Sequence, residues 1–302
     1  MKVLFLGSSH FSKVVLEKML EKGVNVVGVI TQPDKPSGRG YKMSETEVKK
    51  YAKTIGINVY TFDKVRNHVE EIKAIDYDIA LVASFGQILP EEFLNHRLTL
   101  NVHPSLLPKY RGATPLQTAL LNGDKVTGVT IMKVAKEVDS GDILLQREFE
   151  IKDEYYLELE EKLALLGGEM ASDALILVES GKAIFTPQDN DKATFVKKIS
   201  KEDGKLDFNN PCEQIINKIR ALSEEVGCYV ELEGGFLKIG RARKAEGFEV
   251  EPKQILNYKK AFIIGAKDGA IEILTCQAPS GKMIAGRDYL NGHNDILGKF
   301  VK

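Results

Sequence analysis

Short apolar runs and longer stretches of helical spacing alternate along the first 180 residues of this chain. Lys2–Leu6 is an apolar run that predicts a strand. From Phe11 to Lys22 the residues Val14, Val15, Met19 and Leu20 recur at helical spacing, and Gly23 follows as a stop signal. Val24–Thr31 predicts a second strand, and Glu45–Ile55 and Val65–Ile75 predict helices. Asp78–Ser84 and Leu98–Val102 read as buried strands, Thr114–Asn122 as a helix ending at Gly123, and Val129–Met132 as a strand. Asp153–Glu179 is a long helical stretch closed by Ser180-Gly181. Strands alternating with helices predict an α/β fold with a mostly parallel sheet covered on both faces.

The pattern then changes. Phe185–Lys201 is polar and aperiodic and reads as a linker. A helix is predicted from Cys212 to Ser223. After it come short β-rich segments at 228–233, 236–245, 260–267 and 270–277, separated by glycines. Several short strands with turn signals predict a small barrel. No internal repeat or low-complexity tract interrupts this plan.

A length of 302 residues has room for two domains, and 43% hydrophobic with 28% charged residues is an ordinary globular composition. No apolar run approaches a membrane span, and Met1–Gly7 is too short and strand-like for a signal peptide. Cys212, Cys228 and Cys276 are odd in number and far apart, so neither a zinc site nor a disulfide framework is expected, and a reducing cytoplasm fits. A net charge of −1 gives no global attraction to nucleic acid, so such a ligand would need local basic patches. Three are visible: Lys35, Arg39 and Lys42 in a glycine-containing loop; Lys197, Lys198 and Lys201 in the linker; and Lys238, Arg241, Arg243 and Lys244 near a late strand.

The candidate chemistry lies in Asn101-Val102-His103-Pro104. Residues two apart on a strand share a face, so Asn101 and His103 project together at the strand's carboxyl end, where open α/β sheets bind ligands. An amide N–H can hold a developing oxyanion, and an imidazole can donate a hydrogen bond or move a proton. A nearby carboxylate would orient or charge the ring, and Asp139, beyond the strand at Val129–Met132, is the candidate. The first turn, Gly7-Ser8-Ser9-His10-Phe11-Ser12, lacks the later glycines of a dinucleotide fingerprint, which argues against NAD or FAD. His10 reads as an exposed loop histidine.

The chain resembles the methionyl-tRNA formyltransferases of the folate-dependent formyltransferase superfamily. The resemblance rests on Thr31-Gln32-Pro33-Asp34-Lys35-Pro36-Ser37-Gly38-Arg39-Gly40, on Ser84–Pro90, on Asn101–Pro108 and on Arg111-Gly112-Ala113-Thr114-Pro115. Thr127–Met132, Asp139-Ser140-Gly141-Asp142 and Lys198–Asp203 extend it, and it is dense up to residue 205 and weaker beyond. It implies a Rossmann-like formyltransferase domain over 1–186, a linker over 187–204 and an OB-like barrel holding tRNA over 205–302. The implied reaction moves the formyl group of 10-formyltetrahydrofolate to the α-amino group of methionyl-initiator-tRNA, with Asn101, His103 and Asp139 catalytic and no metal. Phe85, Gly86, Gln87, Ile88 and Leu89, with Ser105, Leu106, Leu107 and Pro108, are implied to cradle the folate. Arg39, Lys35, Lys42 and Lys198 are implied to contact tRNA, in a cytoplasmic, monomeric enzyme. A sugar-nucleotide N-formyltransferase, a formyl-folate hydrolase and a non-catalytic folate- or RNA-binding protein are the alternatives. The family usually has a proline-containing turn after Arg220-Ala221-Leu222, whereas this chain has Ser223-Glu224-Glu225, adding negative charge where tRNA would pass.

Overall fold

The computed structural model describes residues 1–37, 42–233, 235–248 and 250–302, with all their side chains except those of Ser37 and Lys42. It comprises two units. One is Met1–Gly112 with Val126–Glu150 and Glu160–Val196; the other is Ala113–Lys125 with Ile151–Leu159 and Lys197–Lys302.

The predicted alternation appears as β1 (Val3–Gly7), α1 (His10–Glu21), β2 (Val26–Thr31), β3 (Lys35–Ser37), β4 (Lys42–Ser44), α2 (Glu47–Thr54) and β5 (Val59–Thr61). Next come α3 (Val69–Lys73), β6 (Ile79–Ala83), α4 (Glu91–Leu94) and β7 (Thr99–His103). After α5 (Pro115–Asn122), which counts with the second unit, follow β8 (Val126–Lys133), β9 (Ile143–Glu150) and α6 (Tyr156–Glu179). Seven strands form one sheet in the order β5-β2-β1-β6-β7-β8-β9. It is parallel from β5 to β7 and antiparallel at β8 and β9. β1 and β6 are buried along their whole length, as central parallel strands covered on both faces must be. β9 went unpredicted because, as an edge strand, it turns Gln146, Arg147 and Glu148 to solvent.

The strand order reverses between β1 and β6: β2 and β5 continue on one side, β7 on the other. The loops leaving β1 and β6 therefore part, and a crevice opens at their carboxyl ends. Two expectations are corrected. The helix predicted over Val65–Ile75 is a 3₁₀ turn at Val65–Asn67 followed by α3, because His68, at φ −128°, breaks the helical path. Its ring is held by Asp63 at 3.0 Å and Glu71 at 2.9 Å and stacks on Phe62. His10 is not a loop residue but the first residue of α1, beside Glu161 at 2.8 Å. It follows the N-cap Ser9, whose hydroxyl accepts from the Ser12 amide.

The second unit contains α7 (Cys212–Leu222), β10 (Cys228–Leu232), β11 (Gly235–Ala245), β12 (Ile255–Tyr258), β13 (Ala261–Ala266), β14 (Gly269–Gln277), β15 (Ile284–Ala285) and α8 (Gly286–Gly292). The antiparallel order is β10-β11-β14-β13-β12, with β15 on β14. Closure comes from the segment 298–302. Lys299 accepts from the Ile255 amide, the Val301 amide donates to Lys253, and the Lys302 amide donates to Glu231 on β10. The two edge strands are thereby bridged, which makes the sheet OB-like rather than open. A bulge near Arg241 frees the peptide groups of Ala242. The Tyr155 hydroxyl takes both, donating to the Ala242 carbonyl at 3.1 Å and accepting from its amide at 3.2 Å. All three cysteines are buried and unbridged. Among the described residues no helix is long and apolar enough to cross a membrane.

Candidate active site

At the strand-order reversal the first turn and the β6 loop are sewn together by hydroxyls. The Ser12 hydroxyl donates to the carbonyls of Ala83 and Ser84. The Ser8 hydroxyl accepts from the Gln32 amide at 3.1 Å and donates to the Phe85 carbonyl at 3.3 Å. The Gln32 carboxamide donates to that same carbonyl at 2.8 Å. A cavity of about 410 Å³ opens here, lined by Ser8, Gln32, Pro33, Thr46, Phe85 and Gly86 among others. Gly86 has φ +78°, and a Cβ there would collide with the Gln32 carboxamide.

On the neighbouring strand, Asn101 pairs with Val82 of β6 and with Met132 of β8, and His103 pairs with Thr130. The two side chains share a face, as the period of a strand requires. Asn101 is half-buried, and its carboxamide has no hydrogen-bond partner among the described residues. His103 is buried. Its Nε2 donates to the Tyr110 carbonyl at 3.0 Å, and its Nδ1 lies 3.6 Å from Asp139 Oδ2. That carboxylate oxygen accepts from the Gly112 amide at 2.8 Å. One donor is thus open to a ligand, and one imidazole is held between a carbonyl and a carboxylate.

The loop after β7 is fixed from β8 and β9. The Thr130 hydroxyl donates to the Ser105 carbonyl at 2.6 Å and accepts from the Leu107 amide at 3.2 Å. The Gln146 carboxamide donates to the Leu107 carbonyl at 2.9 Å. Ser105 donates to the Lys109 carbonyl, and Leu107 is core, which leaves Leu106 and Pro108 half-exposed. Gly128 makes room for this loop, since a Cβ there would strike Leu106 and the Arg147 carbonyl. In the other predicted cradle, Phe85 is core and Leu89 packs against the core. Gln87 is an anchor, donating to the Phe62 carbonyl and accepting from the Val65 amide, both at 2.9 Å. Ile88, 89% exposed, is the apolar side chain presented outward.

Of the residues expected to meet tRNA, Lys35 is exposed and reaches the Gln32 side chain. The backbone of Lys42 pairs with Ser37 in the β3–β4 ribbon, so the ends of the expected loop are a two-stranded hairpin. Arg39 lies outside the described residues. Lys198 is exposed in the second unit. In the late basic patch, Arg241 pairs with Glu158 at 2.6 Å and Glu224 at 3.3 Å, and Arg243 pairs with Glu272 at 2.7 Å. Glu224 also accepts from the Leu157 amide, and Glu225 accepts from Gln117. Glu224 is half-buried and Glu225 exposed, and each is also used within the second unit as a hydrogen-bond acceptor.

Arg111, Gln188 and Asn190 were missed by the sequence. Arg111 is 4% exposed, and its guanidinium donates to the side-chain oxygens of Gln188 and Asn190. The aperiodic stretch holding Gln188 gave no signal.

The chain belongs to the formyl transferase family, whose model matches residues 1–175, while the model of the family's C-terminal domain matches 198–294. Over 309 residues it is 39% identical to the methionyl-tRNA formyltransferase of Caldanaerobacter subterraneus subsp. tengcongensis, with 100% of each chain covered. It is also 39% identical over 297 residues to the methionyl-tRNA formyltransferase of Lactobacillus gasseri, covering 96% of this chain and 95% of that one. Among solved structures, HypX from Aquifex aeolicus in complex with tetrahydrofolic acid has a TM-score of 0.70 at 19% identity over 98% of this chain. The chain spans only 48% of HypX. An N-formyltransferase from Helicobacter canadensis in complex with folinic acid and dTDP-3-aminofucose has a TM-score of 0.66 at 20% identity, covering 90% of this chain and 98% of that one. These two show the likeness of fold.

Proposed function

We propose that the protein transfers the formyl group of 10-formyltetrahydrofolate to the α-amino group of methionyl-initiator-tRNA. Identity over the full length of methionyl-tRNA formyltransferases is the observation that carries this reading. The neutral amine attacks the formyl carbon, forming the new C–N bond and a tetrahedral oxyanion. The open Asn101 carboxamide donates to that oxygen. The bond from the formyl carbon to the folate nitrogen then breaks, the amine gives up a proton, and the folate nitrogen gains one. His103, oriented by Asp139, serves this proton exchange. The chemistry calls on no metal.

Leu106, Pro108, Ile88 and Leu89 wall the pterin. Ser105, Leu107, Phe85, Gly86 and Gln87 set the shape of the two loops. Folate chemistry belongs to 1–186, and tRNA holding to the barrel at 205–302. The segment 187–204 joins them, and its front half also braces the site. Lys35, Arg39, Lys42 and Lys198 contact the tRNA. The enzyme works as a cytoplasmic monomer.

The test offers 10-formyltetrahydrofolate with methionyl-tRNA, with a dTDP-amino sugar, or with buffer alone. Formyl-methionyl-tRNA as the main product is expected. Preferential formylation of the amino sugar, or release of formate alone, would replace this reading.

A further inference from the structure

We propose that Gln188 is a positioning residue of the transfer centre: its carboxamide fixes the turn that presents Asp139 to His103. Its Oε1 accepts from Arg111 Nε at 3.1 Å and Nη2 at 2.8 Å. Its Nε2 points the other way and donates to the carbonyls of Asp139 at 2.9 Å and Gly141 at 2.7 Å. A guanidinium only donates and a carbonyl only accepts, so one orientation of the amide satisfies all four contacts. The brace acts on a backbone already in an uncommon state: Asp139 has φ +50°, in the left-handed region that few non-glycine residues other than Asp and Asn adopt.

The same stretch of chain holds Asp139 a second time. Gly112, next to Arg111, donates its amide to the carboxylate. Arg111 itself is clamped by its peptide groups, its amide donating to Thr194 and its carbonyl accepting from Val196. The Asp139 backbone is therefore set by Gln188 and its side chain by Gly112, both referred to one buried arginine.

The residue type at 188 separates stability from positioning. A buried guanidinium is better met by a carboxylate than by an amide. If satisfying Arg111 were the whole role, glutamate would serve as well or better. Only glutamine can accept from Arg111 and also donate to the two carbonyls.

The inference rests on Asn101, His103 and Asp139 being the transfer centre, and the experiment tests both layers. Initial rates of methionyl-tRNA formylation are measured for Gln188→Glu, Gln188→Met and Asp139→Asn, well below each melting temperature and per folded molecule. Gln188→Glu keeps its bonds to Arg111 and loses those to the turn. It is expected to keep both KM values and to lose kcat per folded molecule on the order of 10²-fold, the scale of a 1 Å misplacement, with some fall in melting temperature because its carboxylate faces two carbonyls that have lost their donor. Gln188→Met loses both sets of contacts and is expected to fall in kcat and in melting temperature alike. Native kcat in Gln188→Glu overturns the positioning role while leaving the transfer centre intact. Native kcat in Asp139→Asn overturns the transfer centre, and the inference with it.

Discussion

His103 and Asp139 face one another across 3.6 Å, with side chains 5% and 15% exposed. Because Nε2 of the imidazole is hydrogen-bonded to a carbonyl, which only accepts, that nitrogen carries the proton. The other nitrogen is left to the carboxylate. A substrate group that needs His103 must therefore compete with Tyr110 or be served from the Asp139 side. His103→Ala is expected to lower kcat by at least about 10²–10³-fold, the cost of losing one preorganised polar group at a developing charge. Affinity for a folate analogue, read by calorimetry, is expected to hold. Retention of a tenth of native turnover is too small a loss for this role.

Gly86→Ala probes the joint between the first turn and the donor loop. The new methyl group would press on Gln32 while the backbone stays at φ +78°. A cost of about 1–3 kcal/mol is expected from the conformation alone. Displacing Gln32 also strips a donor from the Phe85 carbonyl, so folate-analogue affinity should fall together with the midpoint of urea unfolding. Full affinity in the variant would detach this joint from the donor site.

The buried thiols bear on behaviour in alkali. Burial pushes Cys212 up to about 11 and Cys228 and Cys276 up to about 12. Burial raises the Tyr155 phenol in the same sense. These groups stay neutral in the fold and ionise earlier when unfolded, near 8.5 for a free thiol. Their contribution to stability is complete below that pH and is lost as pH climbs toward the folded values. Urea midpoints are expected to drop steadily between about pH 9 and 11. At pH 8 the native protein should react with a thiol-specific disulfide reagent only on the timescale of unfolding. Rapid reaction of any cysteine would contradict their burial.

Arg39→Ala is expected to slow formylation of methionyl-tRNA at subsaturating tRNA while leaving folate affinity and melting temperature alone. Arg39→Lys should restore only part of the rate, since lysine keeps the charge but neither stacks nor forks. Native rates in Arg39→Ala would leave tRNA recognition to the barrel.

The parts of the site legible in the sequence were those set by local period. Asn101 and His103 share a face because they are two apart on a strand, and the apolar run before them announces that strand. The bracing was not legible, because its partners meet only through the fold. Arg111 lies 77 positions from Gln188, and Gln188 lies 49 from Asp139. The stretch carrying Gln188 has no period because its one regular piece is a 3₁₀ turn at Asn190–Lys192; its other groups go to the loops at 107–112 and 139–141 and to Ile143 at the start of β9. The pairing of Arg241 with Glu158 and Glu224 was not legible for the related reason that a charge in a sequence does not show its partner. β12 escaped notice because it is only four residues long, and α8 because its buried Tyr289 and Leu290 sit among glycines and polar residues.

The chain does not finish one unit before starting the other. Ala113–Lys125 and Ile151–Leu159 are visits to the second unit made between stretches of the first. A barrel grafted from a relative would have to bring three stretches of sequence with it, or meet foreign ones. Substitutions in α5, or in the first turn of α6, should accordingly evolve in step with the last hundred residues rather than with the strands that flank them in the sequence.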